Sequence, residues 1–151
     1  MNDPAVDEYA EQLAATLAAA GFPRMSARVM MALMVTESGK ATAEELMERL
    51  GVSAAAISGA VRFLQGMAIV RRHSIPGTRR HQYELADHPW YDATSSQGGL
   101  YTRLIGLSER GLAAMPEGSA IAARTAEMVD YFTFVRERLP QLSAEWLANR
   151  R

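Results

Sequence analysis

Between Thr42 and Leu85 the sequence encodes a helix, a tight turn, a second helix and a hairpin, and that order constrains the fold more than any other feature. Thr42-Ala43-Glu44-Glu45 fits a capping box: Thr42 caps the helix start and Glu45 reaches back to it from three residues on. This helix carries Leu46, Met47 and Leu50 and breaks at Gly51, where a left-handed backbone suits a sharp interhelical turn. Ser53 caps the next helix, Ala54 to Gln65, whose inward stripe is Ile57, Ala60, Val61 and Leu64. Gly66 suits a left-handed cap at its end. The period then shortens. Ala68 to Ile75 reads as a strand, Pro76-Gly77-Thr78 as a turn and His81 to Leu85 as the returning strand.

That succession is the order of a winged helix-turn-helix, and it predicts a mainly α (α+β) chain with a two-stranded wing. Asp3 and Pro4 open a first helix carrying Val6, Tyr9, Leu13 and Leu17. A second spans Arg24 to Thr36, with Val29, Met30, Leu33 and Met34 inward. Asp87 to Gly99 reads as an irregular linker around Trp90-Tyr91, and Leu100 to Met115 as a helix that Gly106 or Gly111 can interrupt. Ser119 caps a long helix ending at Pro140, and Ser143 to Asn149 forms a short last one. The reading is a single domain over 1–151, with a winged helix-turn-helix lobe at 24–86 and dimerisation helices at 4–20 and 100–150.

Charge gives the helix pair a direction. The net charge is −1, so any nucleic-acid affinity must be local. From Ala60 to Gln82 there are five arginines (Arg62, Arg71, Arg72, Arg79, Arg80) and no Asp or Glu, which is +5 against −6 for the remainder. Helical rotation turns Ala55, Ser58, Gly59, Arg62 and Phe63 away from the core stripe. Small side chains let a helix lie close to a groove floor, and Arg62 is the long donor among them. Arg79 and Arg80 flank the hairpin turn, where an arginine suits a minor groove. Arg71 and Arg72 face opposite ways along their strand. Ser53, Ala55, Ser58, Gly59, Arg62, Arg71, Arg72, Arg79 and Arg80 are therefore the candidate contacts to double-stranded DNA. The competing reading is a charged, solvated strand edge on a winged-helix adaptor that binds protein.

Several functions are set aside. There is no cysteine, hence no disulfide, thiolate zinc site or thiol redox switch. Met1-Asn2-Asp3-Pro4 lacks the cationic run of a signal peptide, and the apolar run Val29 to Val35 is too short to span a membrane, so a cytoplasmic chain is expected. No phosphate-cradling loop, nucleophile elbow or metalloprotease motif is present, and no catalytic residue or cofactor is expected. His73, His81 and His88 read as exposed histidines and not as a metal site.

Ile121, Thr125, Met128, Phe132, Val135 and Leu139 recur at 4-3-4-3-4 spacing, a heptad seam. A subunit interface through Ile121, Met128, Phe132, Val135 and Leu139, joined by Leu13 and Leu17, makes the chain a homodimer. Its recognition helices would then sit roughly one DNA turn, about 34 Å, apart.

From about Arg24 to Leu85 the sequence resembles the multiple antibiotic resistance regulator (MarR) superfamily, and within it the glycine betaine synthesis repressor (GbsR-like) branch. Glu45-Leu46, Leu50-Gly51-Val52-Ser53, Ile57-Ser58, Val70-Arg71-Arg72 and Pro76-Gly77 with Arg79 carry the resemblance. It implies a homodimeric regulator, in keeping with a repressor, on a palindromic operator, with Ser53 to Gln65 as recognition helix and Arg79 at the wing tip. Thr78 stands where the family often has Asp, and Met47 where many helix-turn-helix units have Ala. The resemblance also implies a small-molecule effector, for which Arg28, Met34, Trp90, Tyr91 and Tyr101 are the candidates.

Overall fold

The computed structural model describes residues 3–150; Met1 and Asn2, part of the reading of the chain start, lie outside them, as does Arg151. The fold is mainly helical with one small antiparallel sheet: a winged helix-turn-helix flanked by further helices. It divides into two compact units, one running to Asp92 and the other beginning at Ala93.

In the first unit α1 (Pro4–Ala19) starts as expected, with Pro4 in its first turn and the Asp3 carboxylate accepting from the Ala5 N–H at 2.9 Å. Its fully buried side chains are Ala10 and Ala14, small enough for close approach to α2 (Arg24–Met34). α2 is the centre of the core. Ala27, Val29, Met30, Met31, Ala32 and Leu33 are all buried, because α1, α3 (Ala43–Leu50) and α4 (Ala54–Gly66) pack around it. That enclosure corrects the expected stripe: Met31 is buried, Met34 is 42% exposed, and the helix stops at Met34 and not at Thr36. Leu46, Ile57, Leu64 and Ile69 complete the core. Each such aliphatic side chain contributes about 1.5–3 kcal/mol through burial.

The sheet has three strands, not two. β1 (Lys40–Thr42), β2 (Val70–Ser74) and β3 (His81–Leu85) lie in the order β1-β3-β2. Lys40 pairs with Glu84 and Thr42 with Gln82 on one side of β3, and Val70 with Leu85 through Ser74 with His81 on the other. The base of the wing is closed by the Ala86 N–H donating to the Ile69 carbonyl (2.9 Å) and the Leu85 N–H to the Gly39 carbonyl (3.0 Å).

Two further corrections concern helix ends. Gly66 is the last helical residue of α4, not its left-handed cap. The left-handed residue is Ala68 (φ 58°), where the Ile69 N–H folds back to the Leu64 carbonyl at 3.0 Å. The segment read as a linker contains a helix, α5 (Pro89–Ser96); Pro89 begins it and the Asp92 N–H bonds the His88 carbonyl at 2.9 Å.

In the second unit α6 (Gly98–Leu112) runs unbroken through Gly106 and Gly111, and α7 (Ala120–Ala148) runs unbroken through Pro140. The two helices pack on each other. Ser119 caps α7 by accepting from the Ala122 N–H at 3.2 Å. Tyr101 stacks on Phe132, ring centroids 5.3 Å apart, and Arg136 donates to the Thr102 hydroxyl at 3.4 Å. Among the described residues of this unit, Ile105 is the one fully buried apolar side chain. No helix among the described residues is long and apolar enough to cross a membrane.

Candidate nucleic-acid interface

Local chemistry sets the helix pair. The Thr42 hydroxyl accepts from the Glu45 N–H at 3.2 Å, and the Glu45 carboxylate accepts from the Thr42 N–H at 2.7 Å, which completes the capping box. Gly51 takes φ 65°, and its N–H and that of Val52 both return to the Met47 carbonyl, at 2.9 and 3.2 Å. The next residues can then start α4 at once, with the Ser53 hydroxyl accepting from the Ala56 N–H at 3.3 Å. Ser53 thus has a capping role, whatever else it contacts.

α4 buries Ile57, Ala60, Val61 and Leu64 and exposes Ala54, Ala55, Ser58, Gly59 and Arg62 on its other side. The expected outer face is therefore open. Phe63 differs from the rest of that set: it packs edge-on against Phe22 at 5.3 Å, which anchors the far end of α4 to the α1–α2 corner. Ser26, buried on α2, donates to the Ala60 carbonyl at 3.4 Å and ties the middle of α4 to the core.

The wing tip is a tight turn in which Pro76 supplies a fixed φ, Gly77 takes φ 77°, and the Thr78 N–H closes onto the Ile75 carbonyl at 3.2 Å. The Thr78 hydroxyl donates to the Ile75 carbonyl (3.1 Å) and accepts from the Arg80 N–H (3.1 Å), so it laces the turn that presents Arg79.

The five arginines divide into two groups. Arg71 lies 3.0 Å from Asp87, and Arg80 lies 3.6 Å from Glu44. Arg62, Arg72 and Arg79 are exposed and have no ion pair among the described residues. Register explains the contrast along β2. Arg71 stands opposite Glu84, on the sheet face that also holds Lys40 and His73; Arg72 stands opposite Tyr83, on the other face. Lys40 (3.1 Å) and His73 (2.7 Å) both reach Glu84. The Lys40 hydrogen bond, first among several contacts, holds the Glu84 carboxyl below its usual range. The hydrogen bond from Arg71 does the same for Asp87, and in turn Asp87 raises the pKa of Arg71. A backbone N–H at the start of α3 lowers Glu44 most, and Arg80 adds to it. These acidic partners lie outside the +5 run, Glu84 and Asp87 just after it and Glu44 well before it, so its charge count does not register them.

Of the effector candidates, Arg28 grips the Glu11 carboxylate and lines a cavity of about 220 Å³. Met34 and Trp90 are exposed and Tyr91 is half-buried in the first unit, while Tyr101 belongs to the second, against Phe132. Exposure varies along the heptad seam of α7. Thr125, Phe132, Val135 and Leu139 are half-buried, whereas Ile121 and Met128 are exposed. Tyr131, Phe134, Leu142 and Trp146, absent from the expected seam, extend that exposed apolar face. Leu13 and Leu17 are half-buried on α1.

Two family models match the chain. One, described as MarR family, matches residues 20–81; the other, an MmpR5-like MarR family transcriptional regulator, matches residues 88–149. A crystal structure described as a transcriptional regulator superposes with a TM-score of 0.87 at 21% identity, covering 98% of this chain and 100% of its own. The adhesin competence repressor of Streptococcus pyogenes gives 0.43 at 17% identity, covering 87% of this chain and 91% of its own. Lactococcus lactis ZitR, in its apo form, gives 0.38 at 16% identity, covering 96% and 99%. No curated protein matches.

Proposed function

We propose that this chain is a MarR-family winged-helix transcriptional regulator, a reading supported by the two MarR family models that match residues 20–81 and 88–149, and that it acts as a sequence-specific, homodimeric repressor on a palindromic operator in the cytoplasm. Family and fold are those of transcription regulators and not of enzymes. The observation that carries the DNA reading is the distribution of cations: Arg62 on α4 and Arg72 and Arg79 on the wing stand exposed without acidic partners among the described residues, in a chain of net charge −1. Phosphate chains are the complementary surface. α4 enters the major groove with Ser53, Ala55, Ser58, Gly59 and Arg62, and Arg79 enters the flanking minor groove. Arg71 and Arg80, held by carboxylates, contribute less.

The lobe at 24–86 binds DNA, and the helices at 4–20 and 100–150 hold the two copies together. The support is the second unit's own poverty of core beside the exposed Ile121, Met128, Tyr131, Phe134, Leu142 and Trp146. The GbsR-like placement rests on the run from Glu45 to Arg79. A small-molecule effector fits the family reading, with Arg28, Met34, Trp90, Tyr91 and Tyr101 as its candidate contacts.

The test is titration of selected duplexes at graded salt. Binding should weaken steeply as salt rises, and the Arg62→Ala, Arg72→Ala, Arg79→Ala triple variant should lose both affinity and slope. A flat salt response, with the triple variant unaffected, would replace this reading with the protein-binding adaptor.

A further inference from the structure

Arg28 of α2 and Arg49 of α3 both reach across to α1. Arg28 Nε lies 3.1 Å from each Glu11 carboxylate oxygen, and Nη2 lies 2.9 Å from Oε1. The same Nη2 donates to the carbonyl of Leu50, the last residue of α3, at 3.3 Å. Arg49 Nη2 lies 2.6 Å from Asp7 Oδ1, while its Nη1 donates to the Ala32 carbonyl (3.2 Å) and the Thr36 hydroxyl (3.0 Å) of the α2 end. Each guanidinium therefore holds α1 with one edge and the helix-turn-helix with another.

α1 also packs closely on α2, with Leu13 and Leu17 half-buried there. Its fully buried side chains are Ala10 and Ala14, which allow close approach but offer few interlocking contacts. Asp7 and Glu11 are one helical turn apart and so face the same way. Both arginine side chains are about three-quarters buried, at 21% and 26% exposure, so the pairs are less screened than open surface pairs. A lysine could not do the same work, because one ammonium cannot span carboxylate and carbonyl in a planar fork.

We infer that Arg28 and Arg49 are positioning residues that lock α1 to the helix-turn-helix and thereby fix the spacing of the two recognition helices. This rests on the proposed reading that α1 joins the subunit interface. Slack between α1 and α3 then becomes slack in the distance between the two α4 helices. One extra base pair moves a half-site by about 3.4 Å, so even a small slide of α1 alters which spacing fits.

The test uses the full chain and duplexes whose selected half-sites are moved apart by one or two base pairs. The wild type should lose about tenfold or more in affinity per added base pair, a change of about 1.4 kcal/mol. The Arg28→Met, Arg49→Met double variant should bind the three spacings within about threefold of one another. Its α1 amides should exchange hydrogen faster. The Asp7→Ala, Glu11→Ala variant removes the acceptors and leaves the arginines; it should broaden spacing in the same way, and it decides the matter if the arginine variant fails to fold. Spacing preference as sharp as wild type in the folded variants overturns the inference. A wild-type chain that binds no duplex defeats the functional reading and the spacing role with it, whereas unchanged α1 exchange defeats the clamp alone.

Discussion

Arg71 on β2 lies 3.0 Å from Asp87, just beyond β3, and this contact separates it from Arg72, the next residue along the same strand. Arg72 faces the opposite side with no acidic partner among the described residues. Arg72→Ala should therefore lower duplex affinity about tenfold at low salt and reduce the salt slope by about one, while Arg71→Ala changes both less. Fluorescence anisotropy titrations at several salt concentrations measure this; equal losses would contradict the partition.

The same pair predicts an acid response. Asp87, Glu84 and Glu44 all have carboxyl pKa values lowered in the folded chain. A depressed folded value means that the stabilisation is present above the unfolded carboxylate value, about 3.9 to 4.3, and is lost as pH falls through the lower folded value. Asp87→Asn should flatten part of that loss and leave the neutral-pH urea midpoint nearly unchanged, since the pair is exposed. Urea midpoints collected from pH 7 down to 3 check it.

Ala68 sits at φ 58°, where a β-carbon is strained. Ala68→Gly should stabilise the chain by up to about 1 kcal/mol, the relief of strain being partly offset by the freer unfolded chain. Equilibrium urea unfolding would show a raised midpoint with unchanged slope; a lowered midpoint would count against strain at this residue.

Thr42 caps α3 and also ends β1. Thr42→Ala should cost about 1 kcal/mol. Thr42→Ser, which keeps the hydroxyl, should cost less. Thermal unfolding followed by circular dichroism separates the two.

Phe132 and Phe134 should behave differently on α7. Phe134 is 56% exposed, whereas Phe132 is stacked on Tyr101. Phe134→Asp should yield monomers with unchanged helix content, because it places a charge in the proposed interface. Phe132→Asp should instead lower stability by damaging the α6–α7 contact. Sedimentation velocity alongside circular dichroism tells them apart, and an intact Phe134→Asp dimer would move the interface elsewhere.

What was legible in the sequence was local. Thr42 with Glu45, Gly51, Ser53 and Ser119 act within a few residues of themselves, so spacing alone identifies them. What escaped needed a distant partner, or lay in helices that continue through residues poorly suited to them. Lys40-Ala41-Thr42 is a strand only because β3 lies beside it. α5 was obscured by Ser95 and Ser96, which are weak helix formers, and α7 by Pro140. Proline forfeits one hydrogen bond, but the flanking turns of a 29-residue helix are enough to continue it. The division of Arg71 from Arg72 follows from register and from Asp87, neither of which the run of positive charge announces.

β3 lies between two neighbours, so β2 is left as an outer margin of the sheet with its remaining backbone groups turned outward. Such a margin invites other chains to add strands and grow into aggregates. Here it carries Arg71 and Arg72 side by side, and Arg72, unpaired among the described residues, would meet its own like charge on a second copy that approaches edge to edge. A residue proposed to meet a polyanion would thus also discourage concentrated protein from stacking on itself when no polyanion is near.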